Sequence, residues 1–415
     1  MLWRTVRQHI EQLDQGARVA AAESLMRAFV VHTGADGRAP SRRYLWTDAY
    51  AVLALVGLHR VTCRQSHLDS ALILVRRVHE ELGRFRADDT RSGWISGLPE
   101  EEGARRPTAG GLRIGKPELE RPPGVALDER LEWDRDGQYF HYLTKWMIAL
   151  NRLAHATGDA QWNDWAVDLA LASWPAFAAP PDMAGTPRMH WKMSTDLSRP
   201  LVASMGHHDP LDGLAAFAQI RASQRALGSE RRSSALDAAW ADMYAMCRRS
   251  RSWATTDPLG IGGILLDTAA IVRLTADGEC ESGSTLHAMI ADSVRSLDAF
   301  AAGHDPGGAA GRRLAFRELG LCIGLHAVDP IRSWILRAPR RFGPAGHAEV
   351  LLGGVQALAE RIGLRDDIVS CWLEPAAQST PAWRGHEDIN SAMLAASLVP
   401  DACLTPCAPT VQEPS

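Results

Sequence analysis

Helical periodicity, in two alternating versions, is the feature that most narrows what this chain can fold into. Apolar residues recur at three- and four-residue steps almost throughout, as in Tyr139, Leu143, Trp146, Met147, Leu150, Leu153 and Ala154. This spacing predicts helices over about residues 4–32, 44–60, 66–84, 137–156, 161–178, 211–227, 231–249, 259–275, 284–302, 311–327, 345–363 and 386–399, and no strand stands out. Leu45 to Leu58, Leu211 to Ile220, Leu259 to Val272 and Ala315 to Val328 are apolar nearly all round and rich in Gly and Ala, the composition of helices buried on every side. Their successors, such as Leu68 to Leu82 and Ser233 to Arg249, carry one apolar stripe among many charges. Buried helices alternating with half-exposed ones predict a ring of helical hairpins, inner helices side by side and outer helices covering them. The irregular spacing and lack of a fixed repeat favour a closed ring over an open solenoid.

At 415 residues and 46% hydrophobic content the chain can bury a large core. The net charge of -4 arises from acidic and basic residues well mixed along the sequence, without the basic stripe that tracks phosphates, so nucleic acid is not an expected partner. The amino terminus lacks signal-peptide character and no apolar run approaches the ~20 residues of a membrane span, so no membrane partner is expected. Seven scattered cysteines without a Cys-x-x-Cys pair read as reduced thiols and a cytoplasmic location. Cys403 and Cys407 lie in a proline-rich segment; residues 401–415 are expected to be a disordered tail beyond a single domain at 1–400.

Two connections are too long for simple turns, residues 85–135 and 180–206, and both lead into polar clusters, which marks them as loops over one rim of the ring. Gly110 to Lys116 has the spacing of a phosphate-binding loop, but Pro117 stands where a Mg²⁺-binding Ser or Thr is needed and no strand precedes it. Leu259 to Leu265 lacks the third glycine of a dinucleotide fingerprint.

The chemistry-bearing residues gather where inner helices begin. Trp133-Asp134-Arg135-Asp136-Gly137-Gln138-Tyr139-Phe140-His141-Tyr142 precedes one, His207-His208-Asp209-Pro210-Leu211-Asp212-Gly213 another, and shorter clusters surround Trp46 and Asp48, and His386 and Glu387. Asp136 is expected to cap its helix by accepting from the first free amides. In a ring, these amino termini meet at one rim and collect Asp48, Asp136, Asp209, Asp212 and Glu387. Cleaving a glycosidic bond needs two carboxyl groups of unlike environment, one to protonate the leaving oxygen and one to activate water or attack carbon. Asp136, Asp212, Asp209, Glu387, Asp48 and His208 are therefore the candidate catalytic residues. Trp46, Trp94, Trp133, Tyr139, His141, Trp191 and His386 are candidate sugar-binding residues, with Arg113, Lys145 or Lys192 to hold an acidic sugar's carboxylate. His207, His208, Asp209, His386, Glu387 and Asp388 are types that bind zinc or manganese, but adjacent histidines diverge, and no metal or other cofactor is assigned.

These hairpins, the aromatic-Asp clusters and the Asp-Gly steps at Asp136-Gly137 and Asp212-Gly213 resemble the six-hairpin glycosidase superfamily, which includes unsaturated uronyl hydrolases and is similar in fold to the N-acylglucosamine 2-epimerases. The resemblance implies an all-α (α/α)6 toroid. It also implies that Asp212, in Leu211-Asp212-Gly213-Leu214, matches the uronyl hydrolases' acid/base aspartate, although Pro210 replaces the tryptophan usual before that step. An epimerase would instead use a histidine pair, His208 and His386. The leading expectation is a glycoside hydrolase with a small-molecule carbohydrate substrate; the alternatives are a sugar epimerase and a non-catalytic binding toroid. A homo-oligomer is left open.

Overall fold

The computed structural model describes residues 15–35, 37, 42–180, 188–229, 234–250, 252–281, 283–305 and 308–405. The chain is all-α, as its periodicity predicts. Contacts divide it into two compact units, one drawn from residues 15–32, 53–64 and 250–405, the other from residues 33–52 and 65–249.

In the first unit, helix Pro258–Asp277 lies against Gly283–Gly303, Ala315–Leu325 and Val328–Arg337. Ala315–Leu325 also contacts Glu387–Leu398 and Gly363–Leu373, and Glu387–Leu398 packs on Gln15–His32. Helix Pro258–Asp277 begins where its composition says it should: Pro258 needs no amide partner at the first position, and the Asp257 side chain accepts from the Leu259 amide at 3.4 Å. The alternation read from sequence separates Ala315–Leu325, buried at residues 318–325, from the half-covered His347–Ala359.

By length and composition Pro258–Asp277 and residues 315–337 could cross a membrane, which the sequence reading had not anticipated; 67% and 61% of their apolar windows are buried in the protein, the character of core helices. Helices Val328–Arg337 and Gly363–Leu373 were not predicted. Asp401–Leu404 forms a helical turn with Ala402, Cys403 and Leu404 buried, so the start of the expected disordered tail is ordered; residues 406–415 and Cys407 lie outside the described residues, as do residues 4–14 of the first predicted helix.

In the second unit, helix Phe140–Thr157 packs on Ala160–Phe177 and Asp209–Ala226, and Asp209–Ala226 on Ser234–Arg249. Every residue from Leu211 to Ile220 is buried. Helix Gln65–Leu82 is bound to Phe140–Thr157 through His79, whose Nε2 accepts from Trp146 Nε1 at 3.1 Å.

The described residues of the two long connections are held by short helices, bridges and strands. Residues 85–135 hold short helices Glu100–Arg105 and Glu129–Glu132 and a bridge between Glu118 and Arg135. Strand Gln138–Tyr139 pairs antiparallel with Lys192–Met193, which pairs with Pro200–Val202, so the sequence reading without strands is corrected by these short ladders. Ala178–Ala179 pairs with Arg188–Met189. Two- and three-residue strands are too short to show alternation.

Candidate active site

Four titratable side chains face one another across two helices of the second unit. His141 and Lys145 are one turn apart on Phe140–Thr157; Asp209 and Asp212 share the first turn of Asp209–Ala226. Lys145 Nζ donates to Asp212 Oδ1 at 2.7 Å. His141 Nδ1 stands 3.4 Å from Asp209 Oδ1, and neither this nitrogen nor Asp209 Oδ2 has a hydrogen-bond partner among the described residues. A carboxylate oxygen buried without a donor is costly in a finished structure, and such groups concentrate where a ligand or a proton is handled. Asp209 is 5% exposed at its side chain and His141 22%, so the histidine is the more open member. Gly206 makes room for the carboxylate, since a Cβ there would lie 2.5 Å from it.

Aromatic rings lead outward from this cluster. His141 stacks on Tyr139 at 5.4 Å between centroids and lies parallel to Trp191 at 6.5 Å. Trp191 meets Trp133 edge-on at 5.9 Å, and Trp133 is 56% exposed, an unusual position for so large an apolar ring. On the other side Trp46 contacts His141, Tyr142 and Tyr50, and the hydroxyls of Tyr44 and Tyr142 are hydrogen-bonded at 2.7 Å. Trp46 Nε1 is buried without an acceptor among the described residues. Flat apolar faces with a few polar edges suit sugar rings.

Several residues expected at the site do other work. Asp136 is fully buried: Oδ2 takes Arg113 at 2.5 Å, and Oδ1 takes the Gly115 and Gly137 amides, both at 3.0 Å. It is not the helix cap that the sequence suggested, because Phe140–Thr157 starts after Tyr139 with no side-chain cap. Arg113 directs its other two nitrogens at the Arg84 and Glu81 carbonyls. Lys192 is likewise buried completely, its ammonium held by Glu132 Oε1 and the Glu132 and Arg135 carbonyls at 2.7 to 2.9 Å. Burial pulls its pKa below the ordinary lysine value, and Glu132 opposes that pull. Lys192 has no donor left for a sugar's carboxylate, and Arg113 is buried with each of its three nitrogens already engaged. Asp48 is buried against Arg43 at 3.0 Å and accepts the Tyr44 amide at 3.1 Å. Trp94 lies beneath the Arg84 guanidinium, 3.9 Å away, in a bed formed by Gly83 and Gly103, and is closed to a sugar.

Tyr139 is buried, and loss of solvent raises its phenol pKa. His207 and His208 are in ring contact at 4.6 Å, and His208 is the residue before helix Asp209–Ala226, making no side-chain cap bond. Glu387 and His386 are exposed in the first unit, His386 edge-on to Phe316 at 5.6 Å. Among the described residues no three His, Cys, Asp or Glu side chains are grouped as metal ligands would be. Tyr44, Tyr142 and Lys116 stand in stretches that the sequence marks but are not among its candidate site residues. The 3–4 spacing that joins His141 to Lys145 and Asp209 to Asp212 was a readable signal.

Fold and site define an all-α protein whose second unit carries a carboxylate and histidine cluster under an aromatic wall. No protein-family model matches the chain, and no curated protein matches it. Among solved structures it is similar to the GH76A alpha-1,6-mannanase of Salegentibacter sp. HEL1_6, with 12% identity over 93% of this chain and 98% of that one and a TM-score of 0.48. An inactive variant of that mannanase in complex with alpha-1,6-mannotriose gives 11% identity, 84% and 99% coverage and 0.45. Cellobiose 2-epimerase from Spirochaeta thermophila DSM 6192 gives 12%, 77%, 86% and 0.42.

Proposed function

We propose that the protein is a carbohydrate-active enzyme of the six-hairpin kind that cleaves a glycosidic bond with Asp209 and Asp212. The observation that carries this reading is Asp209 Oδ2, a buried carboxyl oxygen without a partner among the described residues, beside a histidine that is part of an aromatic wall. The two carboxyl groups have unlike surroundings, which is what the reaction needs. Asp212 is paired with the Lys145 ammonium and acts as the carboxylate that activates water or attacks the anomeric carbon. Asp209, which among the described residues has no Lys or Arg ion pair like that of Asp212, delivers a proton to the leaving oxygen. His141 orients Asp209, while Trp191 and Trp133 stack on the sugar.

Asp209→Asn and Asp212→Asn should each lower reducing-end release from oligosaccharides by about 10²- to 10⁴-fold, the usual loss when a positioned acid or base is removed. Unchanged turnover in both variants on a responsive substrate would sink the assignment. The His141 and Asp209 contact also favours a second reading, an epimerase in which this pair moves a proton at a sugar carbon. Carbon-bound deuterium acquired from heavy water without cleavage would identify it.

A further inference from the structure

We propose that Lys116 is a specificity-determining residue that binds an anionic substituent, carboxylate or phosphate, on the sugar; this rests on the carbohydrate reading above. The Gly110 to Lys116 segment, whose spacing imitates a phosphate-binding loop, is a bracket that holds this one ammonium at the aromatic wall. The Gln138 side chain takes the Leu112 amide at 2.9 Å and donates to the Gly110 carbonyl at 3.0 Å. Ile114 donates to Gly137 and accepts from Leu45, and Asp136 takes the Gly115 amide. Gly115 has φ +92°, and a Cβ there would lie 2.2 Å from the Arg43 carbonyl, so the chain can pass only as glycine. Arg86 then holds the Lys116 carbonyl at 2.6 Å.

The backbone is thus fixed on both sides while the side chain is left uncommitted. Lys116 Nζ lies 5.4 Å from the Tyr44 ring centre and 6.0 Å from that of Trp133, with no acceptor on it among the described residues. The other cations considered for this role are paired: Arg113 with Asp136, Lys192 with Glu132, Lys145 with Asp212. An ammonium held against the exposed Trp133, where a sugar would stack, offers a charged hydrogen bond to that sugar's substituent. A neutral sugar would leave it unused.

Calorimetric titration of the full chain with glucose, glucuronate, glucose 6-phosphate and inorganic phosphate tests this, in the wild type, Lys116→Met and Lys116→Arg. At least one anionic sugar should bind roughly tenfold more tightly than glucose, with the advantage shrinking as salt rises, lost in Lys116→Met and largely kept in Lys116→Arg. The two anionic arms tell carboxylate from phosphate. The proposal is overturned if the preference survives in Lys116→Met, if inorganic phosphate binds as tightly as the anionic sugar, or if no sugar binds. A preserved anion preference in a protein that cleaves nothing would defeat the hydrolase reading alone.

Discussion

At the scale of single residues, what distinguishes a working carboxylate from a structural one is its list of partners. Asp136 has a guanidinium and two backbone amides and no exposed surface, whereas Asp209 keeps one oxygen without a partner among the described residues. Removing one member of a buried ion pair strands the other, at a cost of ~3–5 kcal/mol. Arg113→Met should therefore lower stability by several kcal/mol in denaturant melts. Lys145→Met, which takes the ammonium from the largely buried Asp212 carboxylate, should also destabilise, and should in addition lower turnover, which Arg113→Met acts on only through the fold. A mild loss for Arg113→Met would show that the Asp136 clamp has been overvalued. The sequence marked Asp136 and Asp209 alike as acids near helix starts. Nothing in one sequence says that Arg113, 23 positions away, points at the first and not the second.

Among helices, the pattern was legible wherever burial was complete or one-sided, as at residues 209–226, placed within two residues of their expected bounds. Val328–Arg337 was missed because Pro330 reads as a breaker; in place, it occupies the first turn, where amides have no intrahelical acceptor anyway. Gly363–Leu373 was missed because Arg365, Asp366 and Asp367 interrupt its stripe. The glycines that suggested inner helices have a packing reason. A Cβ on Gly262 would lie 2.1 Å from the Gly320 carbonyl, so the backbones of Pro258–Asp277 and Ala315–Leu325 touch. Helix propensity favours alanine over glycine by ~1 kcal/mol. Gly262→Ala should nonetheless destabilise by ~1–3 kcal/mol in thermal or denaturant melts, because the second backbone cannot give way. A stabilised Gly262→Ala would refute that close approach.

For the molecule as a whole, stability should fall in acid, because each unit buries a neutral histidine. Burial lowers His79 to about 3, and burial, then the neighbouring Arg365, lowers His326 to about 3. His79 must stay unprotonated to accept from Trp146, and His326 Nε2 lies 3.1 Å from the Ser397 carbonyl. Both folded-state values lie below the ordinary 6.5, so the unfolded chain takes up the protons first. The stabilisation is complete above about pH 6.5 and is lost as pH falls toward about 3, at ~1.4 kcal/mol per pH unit for each histidine. His79→Gln, with a neutral acceptor, should flatten part of that acid limb in pH-dependent denaturant titrations; an unchanged slope would show that His79 is not its source.

The reaction itself is tested most directly by incubating the full chain with neutral and acidic oligosaccharides in heavy water and following products by NMR. Glycoside hydrolysis predicts new reducing-end signals, no deuterium on carbon, and loss of both product and rate in Asp209→Asn and Asp212→Asn. Deuterium on a ring carbon of an uncleaved sugar, or a bound sugar recovered unchanged from every incubation, would contradict it.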